Sequence, residues 1–104
     1  MKHLGTMYRI YLGSDNLTKK RIPCHELTAL IGTLSRGATF FKATGVWEGG
    51  EEKSWVIDVV GEDTARDLSE AFCKVFRQNA VLVCRTGEVE LVEREGKRGD
   101  IRGV

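Results

Sequence analysis

The chain has 104 residues, of which 41% are apolar and 30% are charged, so it has the size and composition of one globular domain with a packed core. No apolar run approaches the roughly 18 residues of a membrane span, and the first residues lack the apolar stretch of a secretion signal, so a cytoplasmic protein is expected. The formal net charge of +1 argues against a strongly basic domain that holds a long nucleic acid.

The small net charge hides an uneven distribution. Residues 1–22 carry five positive and one negative side chain, whereas residues 46–70 carry two positive and eight negative. Opposed patches of this kind suit a small anionic ligand, self-association through complementary faces, or a solvated surface.

The cysteines predict neither a disulfide framework nor a zinc site. Cys24, Cys73 and Cys84 are odd in number and lack the CxxC spacing that such sites use. All three lie within apolar patterns, so we expect them to pack in the core as small hydrophobic side chains.

The first half of the chain predicts a strand, a helix and a hairpin. Alternating apolar residues predict a strand over 6–12. Apolar residues at three-and-four spacing after Pro23 predict a helix that Gly37 ends. Aromatic and β-branched residues predict strands over 38–47 and 54–60, and the glycine pair between them is typical of a hairpin.

The second half predicts a helix and one or two strands. A capping box at Thr64 begins a helix that runs to about Gln78. A strand follows over 80–85, and Thr-Gly then either turns the chain into an extra strand over 88–92 or forms a bulge within one longer strand. Residues 93–104 lose all periodicity, so a flexible charged tail is predicted there.

This order of elements predicts an α+β fold, the ferredoxin-like split βαββαβ arrangement, formed by residues 1–92 as a single domain. Its antiparallel sheet carries both helices on one face, with a possible extra C-terminal hairpin strand. The other face stays open, and Trp47, Trp55 and Tyr11 are too many aromatic residues for the helices to cover. An exposed aromatic face predicts a dimer or a higher oligomer.

Acidic and imidazole side chains give weak signals for chemistry. A solvated surface is the favoured interpretation of the loop carboxylates, which are Glu48, Glu51, Glu52, Glu62 and Asp63. Asp58 interrupts an apolar strand and is expected on the less buried side of the sheet, facing a basic partner. His25 follows Cys24 in a helix, where neighbouring side chains diverge, so a catalytic dyad is disfavoured.

Basic residues predict a site for a phosphate-bearing nucleotide. Two of them precede the positive end of the first helix. Others surround the end of the second helix, where an aromatic ring, a guanidinium group and amides are suited to stack on a base and pair with phosphate. The candidate ligand-binding residues are Lys20, Arg21, Phe76, Arg77, Gln78, Asn79 and Arg85.

Two stretches of sequence carry a family resemblance. Residues 8–20 read Tyr-Arg-Ile-Tyr-Leu-Gly-Ser-Asp-Asn-Leu-Thr-Lys-Lys, and residues 38–47 are followed by Phe-Arg-Gln-Asn-Ala-Val-Leu-Val at 76–83. The chain resembles small proteins of phages and prophages of low-GC bacteria, in which a strand ends in Gly-x-Asn/Asp before a Thr-Lys-Lys loop. Their second helix ends in Phe-x-Gln-x-x-Val-Leu, but Asn79 stands where an acidic residue is usual.

That group resembles the viral sponge proteins that counter Thoeris-type immunity by sequestering cyclic ADP-ribose signals or cyclic oligonucleotides. The resemblance implies a non-enzymatic oligomer with ligand pockets at subunit contacts, and a viral origin would place it in the host cytoplasm. No cofactor is expected, and no metal site is expected because His25 alone offers an imidazole inside the folded part. The topology is equally similar to nitrogen-regulatory and ion-tolerance trimers, which bind nucleotides between subunits. Two further hypotheses are a small dimeric αβ-barrel enzyme that uses His25 or a loop carboxylate, and a host regulatory module with a protein partner.

Overall fold

A computed structural model describes residues 2–92 of the chain; the predicted tail over 93–104 lies outside the described residues. Four strands and two helices follow one another in the predicted order. They are β1 (Lys2–Leu12), α1 (Cys24–Leu34), β2 (Thr39–Trp47), β3 (Gly50–Val60), α2 (Glu62–Val75) and β4 (Leu82–Leu91).

The strands form one antiparallel sheet in the order β2-β3-β1-β4, which confirms the ferredoxin-like α+β fold. β4 is a single strand along β1, and the pairing shifts where Tyr8 faces Arg85 but Met7 faces Gly87. The bulge interpretation of the Thr86-Gly87 step is therefore confirmed, and the extra hairpin strand is wrong. A bulge leaves one residue unpaired and increases the local twist.

The core lies between the helices and one face of the sheet. Alternate residues of β1 and β3 point into it, because side chains along a strand alternate between the two faces. The most deeply buried side chains are Ile10, Leu12, Ile22, Leu27, Ile57, Val59, Leu68 and Phe72. Trp55 is also buried there and donates its indole N–H to the carbonyl oxygen of Ile22 at 2.8 Å, so it does not belong to the open face.

Several predicted boundaries differ from the structure. β1 begins at Lys2, since its first residues pair with β4 beyond a glycine bulge at Gly5. α2 begins at Glu62, after Gly61, without a side-chain cap, so the capping box at Thr64 is wrong. α2 ends at Val75, earlier than predicted, because Arg77 takes a positive φ of 54° that a helix cannot continue through.

The prediction of three buried cysteines is wrong. Cys24 and Cys84 are exposed, and Cys73 is half-buried. Cys24 is the first residue of α1, and Cys84 lies opposite Arg9, so it points to the open face of the sheet. Within residues 2–92, no helix is long and apolar enough to cross a membrane.

The open face of the sheet is apolar around one ion pair. Arg9 donates from Nε and from one terminal nitrogen to the two carboxylate oxygens of Asp58, at 2.8 and 2.9 Å. The guanidinium carbon of Arg9 lies 5.6 Å from the ring centre of Phe41. The expectation that Asp58 faces the less buried side is confirmed, but the basic group it meets belongs to its own chain.

Candidate functional site

A groove of about 240 Å³ runs between α2 and the sheet. α2 packs mainly over β1 and β3, and the groove lies between α2 and Val83 of β4 at the sheet edge. Val83 lies opposite Ile10 in the pairing of β4 with β1, so it points to the helix side, yet it remains 40% exposed. The residues that line the groove are Tyr8, Glu62, Ala65, Arg66, Ser69, Glu70 and Val83.

One wall of the groove combines an aromatic ring with a carboxylate. The Tyr8 hydroxyl donates to the carboxylate of Glu62 at 3.4 Å, so the strand and the first turn of α2 meet at this point. Arg66 donates to Glu62 at 3.0 Å and to Asp63 at 3.3 Å along the helix surface. Arg66 is therefore paired with Glu62 and Asp63, one turn earlier in α2, and it neutralises part of their charge.

The residues that line the groove carry a net negative charge despite Arg66. Glu62 and Glu70 both line it, and Asp63 adds a further negative charge at the same end of α2. An apolar floor beside a phenol ring and carboxylates suits an organic ligand that carries a positive charge. It does not suit the phosphate-bearing ligand predicted from the basic residues.

The predicted site residues lie elsewhere, at the other end of α2. Arg77 donates to the carboxylate of Asp15, from Nε at 3.2 Å and from a terminal nitrogen. Gln78 donates from its side-chain nitrogen to the carbonyl oxygen of Ser14 at 2.8 Å. These two residues thus hold the loop after β1 against the end of α2. We call this group of Ser14, Asp15, Arg77 and Gln78 the loop clamp.

Hydrogen bonds in the loop clamp shift the ionisation of Asp15. Burial acts to raise the pKa of Asp15, but hydrogen bonds from Arg77 and from the backbone N–H groups of Leu17 and Thr18 outweigh it, so the pKa lies below its usual range. Asp15 is therefore a fixed negative charge that organises the loop.

Arg21 also has a structural role. Its guanidinium group donates to the carbonyl oxygens of Ala43 at 3.1 Å and Ser54 at 3.4 Å, and its guanidinium carbon lies 5.9 Å from the Trp55 ring centre. These contacts tie the segment before α1 to the β2–β3 hairpin.

The remaining predicted residues differ in their access to solvent. Phe76 is 3% exposed in the core, so its ring is not available to stack on a base. Lys20 and Asn79 are exposed. Arg85 is also exposed and lies opposite Tyr8 in the β1–β4 pairing, and its guanidinium group is 3.7 Å from a carboxylate oxygen of Glu88. The ligand-binding role of the predicted residues stays a prediction.

The groove residues were overlooked by the sequence interpretation. Tyr8 was assigned only to an alternating strand, and Glu62 was counted among solvated loop carboxylates. The available signal was the negative charge over 46–70, but only the fold brings Tyr8 to the first turn of α2.

Among residues 2–92 no group of three or more histidine, cysteine or acidic side chains is placed to hold a metal ion.

A protein-family model described as the S-adenosylmethionine lyase family matches residues 12–103. None of the curated proteins matches the chain. Among solved structures, a phage SAM lyase in its apo state superimposes with a TM-score of 0.65 at 17% identity, over 88% of this chain and 93% of that one.

Two bacterial proteins are more distant in structure. The divalent ion tolerance protein CutA1 from Ehrlichia chaffeensis has a TM-score of 0.44 at 11% identity, over 90% of this chain and 89% of that one. The B. subtilis GlnK–ATP complex has a TM-score of 0.43 at 13% identity, over 83% and 84%.

The family match corrects one prediction. The chain was expected not to be an enzyme, and that expectation is wrong, because the matching family is a family of lyases and covers most of the chain. The sponge interpretation depended on the same expectation. The nucleotide ligand and the counter-defence role stay predictions.

Proposed function

The chain belongs to the S-adenosylmethionine lyase family, and we propose that it cleaves S-adenosylmethionine in the groove between α2 and β4. The family match over residues 12–103 is the observation that carries the proposal. The acidic, partly aromatic groove adds support, since the substrate is a sulfonium cation that bears an adenosine. The substrate has no phosphate, so Arg77 of the loop clamp is not needed to bind it.

The proposed reaction needs little acid or base catalysis by the protein. When a carbon–sulfur bond of the sulfonium breaks, its electron pair stays on sulfur, which leaves as the neutral thioether 5′-methylthioadenosine. The carboxylate of the same substrate can take the place of sulfur on the γ carbon and close a five-membered lactone. No water and no protein nucleophile is consumed, which is what distinguishes a lyase from a hydrolase.

The protein contributes by holding the substrate folded. An attack within one molecule gains from a bound shape in which the two reacting atoms already lie close together. Glu62 and Glu70 attract the sulfonium, and the ring of Tyr8 offers a face to the cation. Arg85, opposite Tyr8 on β4, is placed to attract the carboxylate of the amino-acid part.

The positive charge on sulfur disappears as the reaction proceeds. Glu62 and Arg85 are therefore expected to have different roles. A carboxylate near sulfur favours the bound substrate over the transition state, so Glu62 serves binding more than rate. A guanidinium that orients the attacking carboxylate affects the rate as well. We therefore expect Arg85→Ala to lower kcat and Glu62→Gln mainly to raise KM.

The decisive experiment follows S-adenosylmethionine and its products by mass spectrometry with the purified full chain. We expect 5′-methylthioadenosine and the lactone in equal amounts, with no incorporation of oxygen from labelled water. Folded protein that releases no 5′-methylthioadenosine would overturn the proposed function. Cleavage that is unchanged in both Glu62→Gln and Arg85→Ala would keep the function and overturn the placement of the site in the groove.

We also propose a phage origin and a place of action in the host cytoplasm. The structural likeness to a phage SAM lyase supports this, as does the sequence resemblance of residues 8–20 to phage proteins. A counter-defence role would then depend on destroying a small adenosine-bearing molecule. Expression in a bacterium should lower the cellular pool of S-adenosylmethionine, and an unchanged pool with active protein would contradict the cellular role.

A further inference from the structure

Both carboxylate oxygens of Glu62 already have a donor within the chain. Oε1 accepts a hydrogen bond from the hydroxyl of Tyr8 at 3.4 Å, and Oε2 accepts one from a terminal nitrogen of Arg66 at 3.0 Å. All three residues line the groove between α2 and β4. A cation that binds to Glu62 therefore competes with a guanidinium group of the same helix.

The pair of Arg66 with Glu62 is weak enough to exchange. The partners of Arg66 stand three and four residues earlier in α2, the spacing at which helix side chains meet. The Arg66 side chain is 53% exposed, and those of Glu62 and Asp63 are 70% and 91% exposed. Water screens ion pairs as exposed as these, and they change an equilibrium by at most about fivefold. A bound substrate with its own positive charge can thus displace Arg66 from Glu62.

The charge of the groove changes during the proposed reaction. Glu62 and Glu70 are negative and Arg66 is positive, so the lining has a net charge of −1. A sulfonium cancels that charge, and the neutral thioether restores it. Arg66 is repelled by the substrate but not by the product, so its guanidinium group has a different favoured position before and after cleavage.

We propose that Arg66 is a positioning residue that acts through Glu62. Its guanidinium gives up Glu62 to the sulfonium of the substrate and takes Glu62 back as the positive charge on sulfur disappears. No proton moves and no bond to the protein forms, since the exchange is between two ion pairs. The inference rests on the proposed function, because only a substrate that loses its charge produces this exchange.

The exchange makes Arg66 unfavourable for substrate binding and favourable for rate. Displacing Arg66 costs part of the attraction between Glu62 and the sulfonium, so the substrate binds less tightly. As the carbon–sulfur bond breaks, the pair of Arg66 with Glu62 forms again and offsets the attraction that is lost. Only an interaction that is stronger in the transition state than in the bound substrate accelerates a reaction, and the returning guanidinium supplies one.

Steady-state kinetics on the full chain tests the exchange with Arg66→Gln. We expect KM for S-adenosylmethionine to fall by up to about fivefold, because Glu62 no longer has a competing cation. We expect kcat to fall by a similar factor, so that kcat/KM changes by less than about twofold. Damage to the shape of the groove would raise KM instead, so the direction of the change separates this role from a structural one.

Three controls isolate the charge of Arg66. Arg66→Lys keeps a cation beside Glu62 and should restore KM and kcat most of the way to the wild-type values. Lys74→Gln removes an equal charge from an exposed residue in the last turn of α2, outside the lining of the groove, and should change neither constant. The inhibition constant of 5′-methylthioadenosine should be the same in Arg66→Gln and in the wild type, since a neutral ligand does not compete with a guanidinium.

The outcomes separate this inference from the proposed function. Cleavage by Arg66→Gln with a KM that is raised or unchanged overturns the inference and leaves the proposed function intact. Tighter binding of S-adenosylmethionine and 5′-methylthioadenosine by the same factor overturns it as well, because the effect would then not depend on charge. A wild-type chain that releases no 5′-methylthioadenosine overturns the proposed function, and the inference with it.

Discussion

Arg9 and Asp58 neutralise each other at the centre of the open sheet face, through two parallel hydrogen bonds of 2.8 and 2.9 Å. The side chain of Asp58 is only 13% exposed and that of Arg9 is 36% exposed. The pairing of β1 with β3 places the two residues directly opposite each other. An otherwise apolar face can therefore carry two charges without exposing an unbalanced one.

Removing one partner of this pair should destabilise the fold more than removing both. Arg9→Met leaves the Asp58 carboxylate without its donors, and we expect a loss of about 1–3 kcal/mol in the free energy of unfolding. The double variant Arg9→Met with Asp58→Leu should regain most of that loss. Urea denaturation measures both, and equal losses in the single and double variants would contradict this account of the pair.

Stability should fall in acid because two carboxyl groups are held ionised. The hydrogen bonds from Arg9 lower the pKa of Asp58 despite burial, and the loop clamp lowers that of Asp15. Both stabilising effects are complete above the unfolded value of about 3.9 and are lost as the pH falls through the folded values. Thermal unfolding should show this decline, and Asp58→Asn should make it shallower; an unchanged slope would contradict the shift at Asp58.

Arg77 allows a matched test of backbone strain against side-chain contact. Its φ of 54° lies in the left-handed region, which glycine adopts more readily than residues with a Cβ atom. Arg77→Ala and Arg77→Gly both lose the contact with Asp15, but the glycine variant is relieved of the strain. We expect the glycine variant to be more stable than the alanine variant by about 1 kcal/mol in urea denaturation. Equal stability of the two variants would show that the turn is not strained.

Glu62 should affect substrate binding more than turnover. Because its side chain is 70% exposed, we expect Glu62→Gln to raise KM by up to about fivefold, the equivalent of a surface ion pair, with kcat little changed. Asp63→Asn is the matched control, since it removes a neighbouring charge that contacts Arg66 but does not line the groove. Steady-state kinetics measures KM and kcat separately. A fall in kcat alone would show that Glu62 acts in the chemical step.

The cysteines should differ in their reaction with a thiol reagent under native conditions. Cys24 and Cys84 are exposed and Cys73 is half-buried in α2, so two thiols should react quickly and the third slowly. Serine variants at each position identify which thiol gives which phase. Three equally slow thiols would contradict the exposed positions.

Local patterns were enough to predict the order of the elements. The alternation in β1 and β3 and the three-and-four spacing in the helices are properties of short segments, and they hold wherever those segments pack. The boundaries were less predictable. The start of β1 at Lys2 depends on a partner strand more than 80 residues away, and the capping signal at Thr64 was overridden by an earlier start at Gly61.

The site could not be predicted from the sequence, because it depends on which residues lie close together in space. Arg77 and Gln78 were grouped correctly with the end of α2, but the structure shows Asp15 and Ser14 meeting them from the loop after β1. Phe76 matched the pattern of a stacking aromatic, and it also matched the pattern of a core residue. Only packing decided between the two, in favour of the core.

The sequence by itself determined the α+β class, the antiparallel sheet and the uneven charge, because hydrophobic periodicity and composition are local properties. The tertiary structure decided which charges meet each other and which remain available. It placed Tyr8 next to Glu62 and Arg9 next to Asp58, and it left a groove between α2 and Val83 of β4. Those outcomes follow from strand register and helix placement, which are set by contacts between residues far apart in the chain.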